Sequence, residues 1–147
     1  GGGFPLGALL ATGAAAVGMT AGTHGSTYGG NPLACAVGCA VMEIVADSAF
    51  LAEVRRKAAL LRQRLEGLVA AHPGVFAGVR GQGLMLGLKC VPANTEVVQA
   101  GYAERVLTVP GGDNVIRLLP PLTLTDEDIG EGIARLDRAA ARLAPAA

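Results

Sequence analysis

The chain has no tryptophan in its 147 residues, only three Phe and two Tyr, and no excess of either charge: 12 basic residues face 12 acidic ones. No basic stripe with interleaved aromatics occurs, so the footprint of a nucleic-acid-binding protein is missing. Cysteine is scarce too. Cys35, Cys39 and Cys90 give neither a disulfide framework nor a zinc-ligand spacing. Cys35 and Cys39 stand four apart on one face of an expected helix and read as small buried core residues. Apolar runs are cut by Gly and Pro well short of a membrane span. No charged region precedes an apolar one in the manner of a signal peptide. An initiator Met is lacking as well, and the chain opens on three glycines. That start reads as part of a longer chain, with these residues at its C-terminal end.

Apolar residues make up 51% of the composition, and 147 residues suffice to bury a core. Residues 6–12 form a short apolar run that suits a buried strand, and residues 13–18 suit a helical turn. Residues 32–45 read as a helix that is apolar nearly all round, hence buried on several sides. Asp47 and Ser48 cap the next helix. Across residues 50–71, Leu51, Val54, Ala58, Leu61, Leu65 and Leu68 form an amphipathic stripe, opposite Glu53, Arg56, Lys57, Gln63 and Arg64. His72-Pro73-Gly74 ends it, with His72 a helix-end residue. Residues 75–80 and 84–91 read as strands, 96–104 as a weak helix, and 105–109 and 114–119 as strands around Pro110-Gly111-Gly112-Asp113. The G-x-G at Gly81-Gln82-Gly83 lies between strands, so it is a turn and not a dinucleotide fingerprint. Thr125-Asp126-Glu127-Asp128 resembles a capping box for a last helix with Ile129, Ile133, Leu136 and Ala140 inward. The latter part reads as strand pairs covered by helices, a compact α+β unit. The expected domains are residues 1–46 and residues 47–147.

Two places carry chemistry. The loop over residues 22–30 is glycine-rich, bears the adjacent hydroxyls of Ser26 and Thr27, and runs into Asn31-Pro32, a strong helix start. Such a loop is either an anion site, suited to a phosphate, or an ordinary capped turn. Arg117 lies inside the apolar run Val115-Ile116-Arg117-Leu118-Leu119. If buried, it needs an anion. It is a bidentate clamp on a substrate carboxylate, an arginine reaching out of an edge strand, or a partner of Asp113.

The run HGSTYGGNPLACA (residues 24–36) closely resembles the loop of the class III pyridoxal-phosphate-dependent aminotransferases. GGGFPLGA (residues 1–8) is similar to the segment that follows that family's Schiff-base lysine. RGQGLMLGL (residues 80–88) and LTVPGGDNVIRLLPPL (residues 107–122) look like the ornithine-type branch, in the same order. The resemblance covers nearly the whole chain. It implies an α/β protein, the C-terminal part of a fold-type-I transferase: residues 1–46 end the large cofactor-binding domain, and residues 47–147 form a connecting helix and the small α+β domain.

The resemblance also implies pyridoxal 5'-phosphate as cofactor. Thr27 would hydrogen-bond the cofactor phosphate of the neighbouring subunit, and Ser26 would lie against cofactor and substrate. Arg117 would bind the α-carboxylate of the amino-acid substrate. No catalytic residue is expected in this chain. The lysine would lie three positions before Gly1, Lys57 and Lys89 match no such motif, and the chain alone is expected to be inactive. His24 and Tyr28 are expected to pack the loop. The implied reaction moves an amino group from an N-acylated ornithine to 2-oxoglutarate, in arginine biosynthesis. Small amino acids and 2-oxoacids are the expected partners, in a cytoplasmic homodimer with shared active sites, without nucleic acid, membrane or metal. Other ω-aminotransferases, acting on succinylornithine, ornithine or 4-aminobutyrate, are the near alternative. A non-catalytic anion-binding or dimerising module is the distant one.

Overall fold

The computed structural model describes residues 1–143. They fall into two units that divide between Leu51 and Ala52. In the first, a 3-10 turn at Ala15–Gly18 precedes helix α1, Pro32–Val45. The start of the chain lies along α1. A Cβ added to Gly38 would stand 2.7 Å from Leu6 Cδ2, so this mid-helix glycine makes the slot for Leu6.

Two expectations fail in this unit. Residues 6–12 form no strand, because no second strand among the described residues of the unit pairs with them. And α1 is not enclosed. Ala34 is its one buried residue, whereas Leu33, Met42 and Ile44 are each about three-fifths exposed. Cys35 and Cys39 are exposed as well, contrary to the core reading. Among the described residues, a loop and one short turn are all the unit has to lay over this helix, and its apolar surface is larger than they cover. No single described helix is long and apolar enough to cross a membrane.

Helix α2, Ser48–Ala71, starts where Asp47 Oδ1 accepts the Phe50 N–H at 2.7 Å. Its stripe buries Ala58, Leu61, Leu65 and Leu68. The helix stops at His72, whose Nε2 lies 2.7 Å from Asp137 Oδ1. Helix α4, Asp126–Leu143, opens on a reciprocal cap. Thr125 Oγ1 accepts the Asp128 N–H at 3.1 Å, and Asp128 Oδ2 accepts the Thr125 N–H at 2.8 Å. It buries Ile129, Leu136, Ala139 and Ala140.

The expected strand pairs merge into one antiparallel sheet of order β1-β2-β4-β3. The strands are β1 Phe76–Gln82, β2 Met85–Cys90, β3 Val109–Gly111 and β4 Val115–Leu118. Leu86, Leu88 and Ile116 face a core shared with α2, α4 and helix α3, Asn94–Ala103. The strand expected at 105–109 begins only at Val109. Residues 104–106 instead finish α3: Arg105 is left-handed (φ 58°), and the Val106 N–H returns to Gly101 O at 2.9 Å. The turn moves accordingly to Gly112-Asp113-Asn114, since Gly111 pairs with Val115.

One polar group enters the core without a partner. Thr108 is 5% exposed, and its Oγ1 makes no hydrogen bond among the described residues. An isolated buried hydroxyl destabilises, and valine has its shape without it. Thr108→Val therefore leaves stability unchanged or raises it by about 1 kcal/mol, read by chemical denaturation. A loss of similar size would mean that the hydroxyl has a partner.

Candidate functional site

In the first unit the loop is joined to α1 by one side chain. Asn31 Oδ1 accepts the Ala34 N–H at 2.9 Å while its Nδ2 donates to Tyr28 O at 2.8 Å. Pro32 has no N–H, and the Cys35 N–H goes to Asn31 O. Of the first-turn donors this leaves only Leu33 N–H for an anion. The hydroxyls are the better donors. Ser26 and Thr27 are exposed, and neither side chain makes a hydrogen bond among the described residues. Gly29 keeps Ser26 in place: a Cβ there would stand 3.0 Å from Ser26 Cβ and 3.2 Å from its Oγ. Ser26, Gly29, Gly30 and Asn31 line a groove of about 510 Å³ with Phe4 and Leu6. Thr27 is on the same loop but does not line it. Tyr28 is 81% exposed, so it does not pack the loop as expected.

These residues fit a phosphate such as that of pyridoxal 5'-phosphate in one respect and leave another to be met elsewhere. Two hydroxyls and a glycine backbone can donate and approach closely. Residues 1–42 contain no Asp, Glu, Lys or Arg. No carboxylate repels an anion there, and no side-chain cation of that stretch neutralises it. The loop can hold a phosphate by hydrogen bonds alone.

In the second unit, Arg117 lies on β4, an interior strand, so the edge-strand reading does not hold. One row of the outer sheet face runs Arg80, Gly87, Arg117, Val109, and the next runs Gly78, Lys89, Val115, Gly111. Arg117 is exposed, so burial does not compel it to find an anion. Nor is it paired to Asp113. Lys89 Nζ donates to Asp113 Oδ1 at 2.8 Å, and the Arg80 guanidinium holds Oδ2. The Lys89 ammonium, and after it Arg80, keeps the Asp113 carboxyl below the usual carboxylate range. Arg117 makes no hydrogen bond or ion pair among the described residues. It is a cation on an ordered strand, beside the buried Gly87, whose missing side chain gives its room to Val115: a Cβ there would stand 2.5 Å from Val115 Cγ1.

Sequence reasoning missed what holds this strand. Asp113 and Asn114 are both left-handed (φ 54° and 50°), which costs these residue types least. Asn114 Oδ1 accepts the Asn94 N–H, and its Nδ2 donates to Cys90 O and Pro92 O. Asn94 Nδ2 donates to Gly111 O and Val115 O. The doublet Asp113-Asn114 after two glycines was a legible turn signal. Asn94, seventeen to twenty-one residues away, carried none. Lys89 proves a loop anchor. Lys57 lies 3.8 Å from Glu53 on α2.

Comparison with known proteins bears on both places. The family described as Aminotransferase class-III matches residues 1–140. An acetylornithine aminotransferase of Rhodobacter capsulatus is 64% identical over 143 residues, which are 97% of this chain and 36% of that protein. Among solved structures, N-acetylornithine aminotransferase from Stenotrophomonas maltophilia K279a is 36% identical with a TM-score of 0.70. That match covers 78% of this chain and 32% of the other. The ornithine aminotransferase from Toxoplasma gondii is 29% identical with a TM-score of 0.73, covering 84% and 30%. The chain thus spans about a third of the length of the relatives it matches, and its fold is theirs over that span.

The Asp113 pairing has a pH consequence. A carboxyl whose folded pKa is depressed stabilises the fold above its unfolded pKa, about 3.9, and that stabilisation is lost as pH falls through the folded value. The Asp113 carboxyl, followed by carbon NMR, titrates below the ordinary aspartate range, and Lys89→Met moves its midpoint up. A midpoint indifferent to Lys89 would mean that the two do not pair in solution.

Proposed function

The chain belongs to the class-III aminotransferases, and from that premise we propose that it forms the C-terminal portion of a pyridoxal-phosphate-dependent transaminase. The reaction is transfer of the free amino group of N-acetylornithine to 2-oxoglutarate, within arginine biosynthesis. The names of its relatives support the donor. Residues 1–46 end the cofactor-binding domain, and residues 47–147 form the connecting helix and small domain. The lysine that carries the cofactor lies upstream of Gly1. The complete enzyme is a cytoplasmic homodimer with active sites shared across the interface. A second reading, transamination of ornithine itself, is favoured by the likeness to the Toxoplasma enzyme.

One observation carries this reading: Arg117 is an ordered cation whose neighbouring carboxylate is already held by Lys89 and Arg80. Its planar fork matches a carboxylate bidentately. Pyridoxal 5'-phosphate, when bound, supplies an electron-withdrawing ring that draws charge from the carbon exchanging its nitrogen. Thr27 and Ser26 hold its phosphate by hydrogen bonds, and Ser26 also borders the substrate. Arg117 fixes the substrate's carboxylate and thereby the reacting carbon. In glutamate the carboxylate is one bond from that carbon. In acetylornithine it is several bonds away, so a displaced clamp disturbs glutamate more.

Thr27→Val in the complete enzyme removes one charge-assisted hydrogen bond, worth about 1.5–3 kcal/mol. Affinity for pyridoxal phosphate, titrated into the apoenzyme, falls about ten- to a hundredfold, with little change in melting temperature. An unchanged affinity would leave Thr27 no role at the phosphate.

Arg117→Lys keeps the charge and loses the fork. Catalytic efficiency in the glutamate half-reaction falls about ten- to a hundredfold; the acetylornithine half-reaction falls less, and the melting temperature hardly moves. If efficiency held while stability dropped, Arg117 would be structural and the clamp reading wrong.

A further inference from the structure

We propose that Gly111 is a positioning residue for Arg117: its missing side chain leaves a slot on the outer sheet face in which the arginine stem lies, and the slot sets where the guanidinium stands. The proposal rests on the reading of Arg117 as the carboxylate clamp. Gly111 is on the edge strand β3, paired with Val115 and diagonal to Arg117. A Cβ built on it would stand 3.3 Å from Arg117 Cγ and 3.5 Å from Cδ.

Backbone geometry does not ask for glycine here. Gly111 is absent from the positive-φ positions, which in this hairpin are Asp113 and Asn114. Strand chemistry does not favour it either, since glycine weakens a strand and leaves nothing to pack. What glycine provides at this position is room for the arm of Arg117.

The slot cannot drift to accommodate a larger residue. Gly111 O accepts from Asn94 Nδ2 at 2.9 Å, and the same amide holds Val115 O at 3.0 Å. Both walls of the slot are therefore tied to the start of α3. An added methyl must displace the flexible arm by a few tenths of an ångström, and the guanidinium at its end moves further. Misplacement by about 1 Å can cost about a hundredfold in rate, so a fraction of that costs several-fold.

The test is Gly111→Ala in the complete enzyme, with Gly112→Ala as its control. Gly112 also lacks a positive φ, and a Cβ there meets nothing within 4 Å. Both substitutions restrict the unfolded chain alike, so both leave the melting temperature unchanged or higher. Gly111→Ala lowers kcat/KM for glutamate about three- to tenfold, and Gly112→Ala leaves it unchanged. Half-reactions with a diamine that lacks a carboxylate are indifferent to Gly111→Ala. In an Arg117→Ala background, Gly111→Ala has no further effect on glutamate. The proposal is overturned by unchanged glutamate efficiency in Gly111→Ala, by an equal loss with the diamine, or by activity and melting temperature falling together. If Arg117→Ala itself spares the glutamate reaction, the clamp reading fails first, and that result is separate from the other three.

Discussion

The set of hydrogen bonds made by Asn94 and Asn114 is the constraint on which the cationic face of the sheet depends. Two consecutive left-handed residues that are not glycine make an unfavourable turn, each costing on the order of 1 kcal/mol. Asn114 offsets this by placing one donor bond on Cys90 O, one on Pro92 O and its acceptor on the Asn94 N–H. Asn94 returns two bonds to the strands that flank the turn. Every polar atom of both side-chain amides except Asn94 Oδ1 is thereby placed among these partners. At about 0.5–1.5 kcal/mol net for each bond, five such bonds outweigh the turn. The hairpin then has one geometry, and Asp113 is presented to Lys89 and Arg80 instead of to Arg117.

Much of this fold was legible because its helices announce themselves chemically. Asn31-Pro32, Asp47 and Thr125 each place an acceptor where a helix needs one, and α1 and α4 begin where those residues indicate. Strands carry no such local mark. Residues 6–12 and 105–109 have the composition of strands, but a strand exists only with a partner. The first run finds none, and the start of the second is drawn into the end of α3 by the Val106 N–H. That β2 pairs with β4 joins the expected hairpins into one sheet through contacts about thirty residues apart in sequence, such as Gly87 with Arg117. The burial of Cys35 and Cys39 was misjudged for a related reason. Apolarity states what a helix face would bury against, and the described residues of its unit supply no such surface.

The candidate sites divide in the same way. Ser26 and Thr27 were legible as a motif, since their loop is local and its cap is adjacent. Arg117 was legible as an anomaly in an apolar run, but its state was not. Whether Asp113 neutralises it depends on Lys89 and Arg80, which lie 24 and 33 residues earlier than Asp113. Position within the sheet mattered equally. An arginine on an edge strand can swing clear, whereas one on β4 is flanked by β2 and β3 and has its stem against Gly111.

The two sites use different physics, and charge distribution explains why. Through residue 42 the first unit has no charged side chain, so its loop can offer an anion only hydrogen bonds. Such bonds are directional and select a tetrahedral phosphate by geometry, yet they leave its charge to be met elsewhere. The outer sheet face of the second unit has the opposite character. Arg80, Lys89 and Arg117 share it, and the one nearby carboxylate in contact with them, Asp113, engages only the first two. Among the described residues, Arg117 is the cation of this face left without a partner. An exposed cation has no desolvation penalty to recover while unliganded, so it can remain open until a carboxylate arrives. On the proposed reading, the first unit would recognise by shape what it cannot attract by charge. The second would attract by charge and, through the stem of Arg117 beside Gly111, limit where the attracted group can stand.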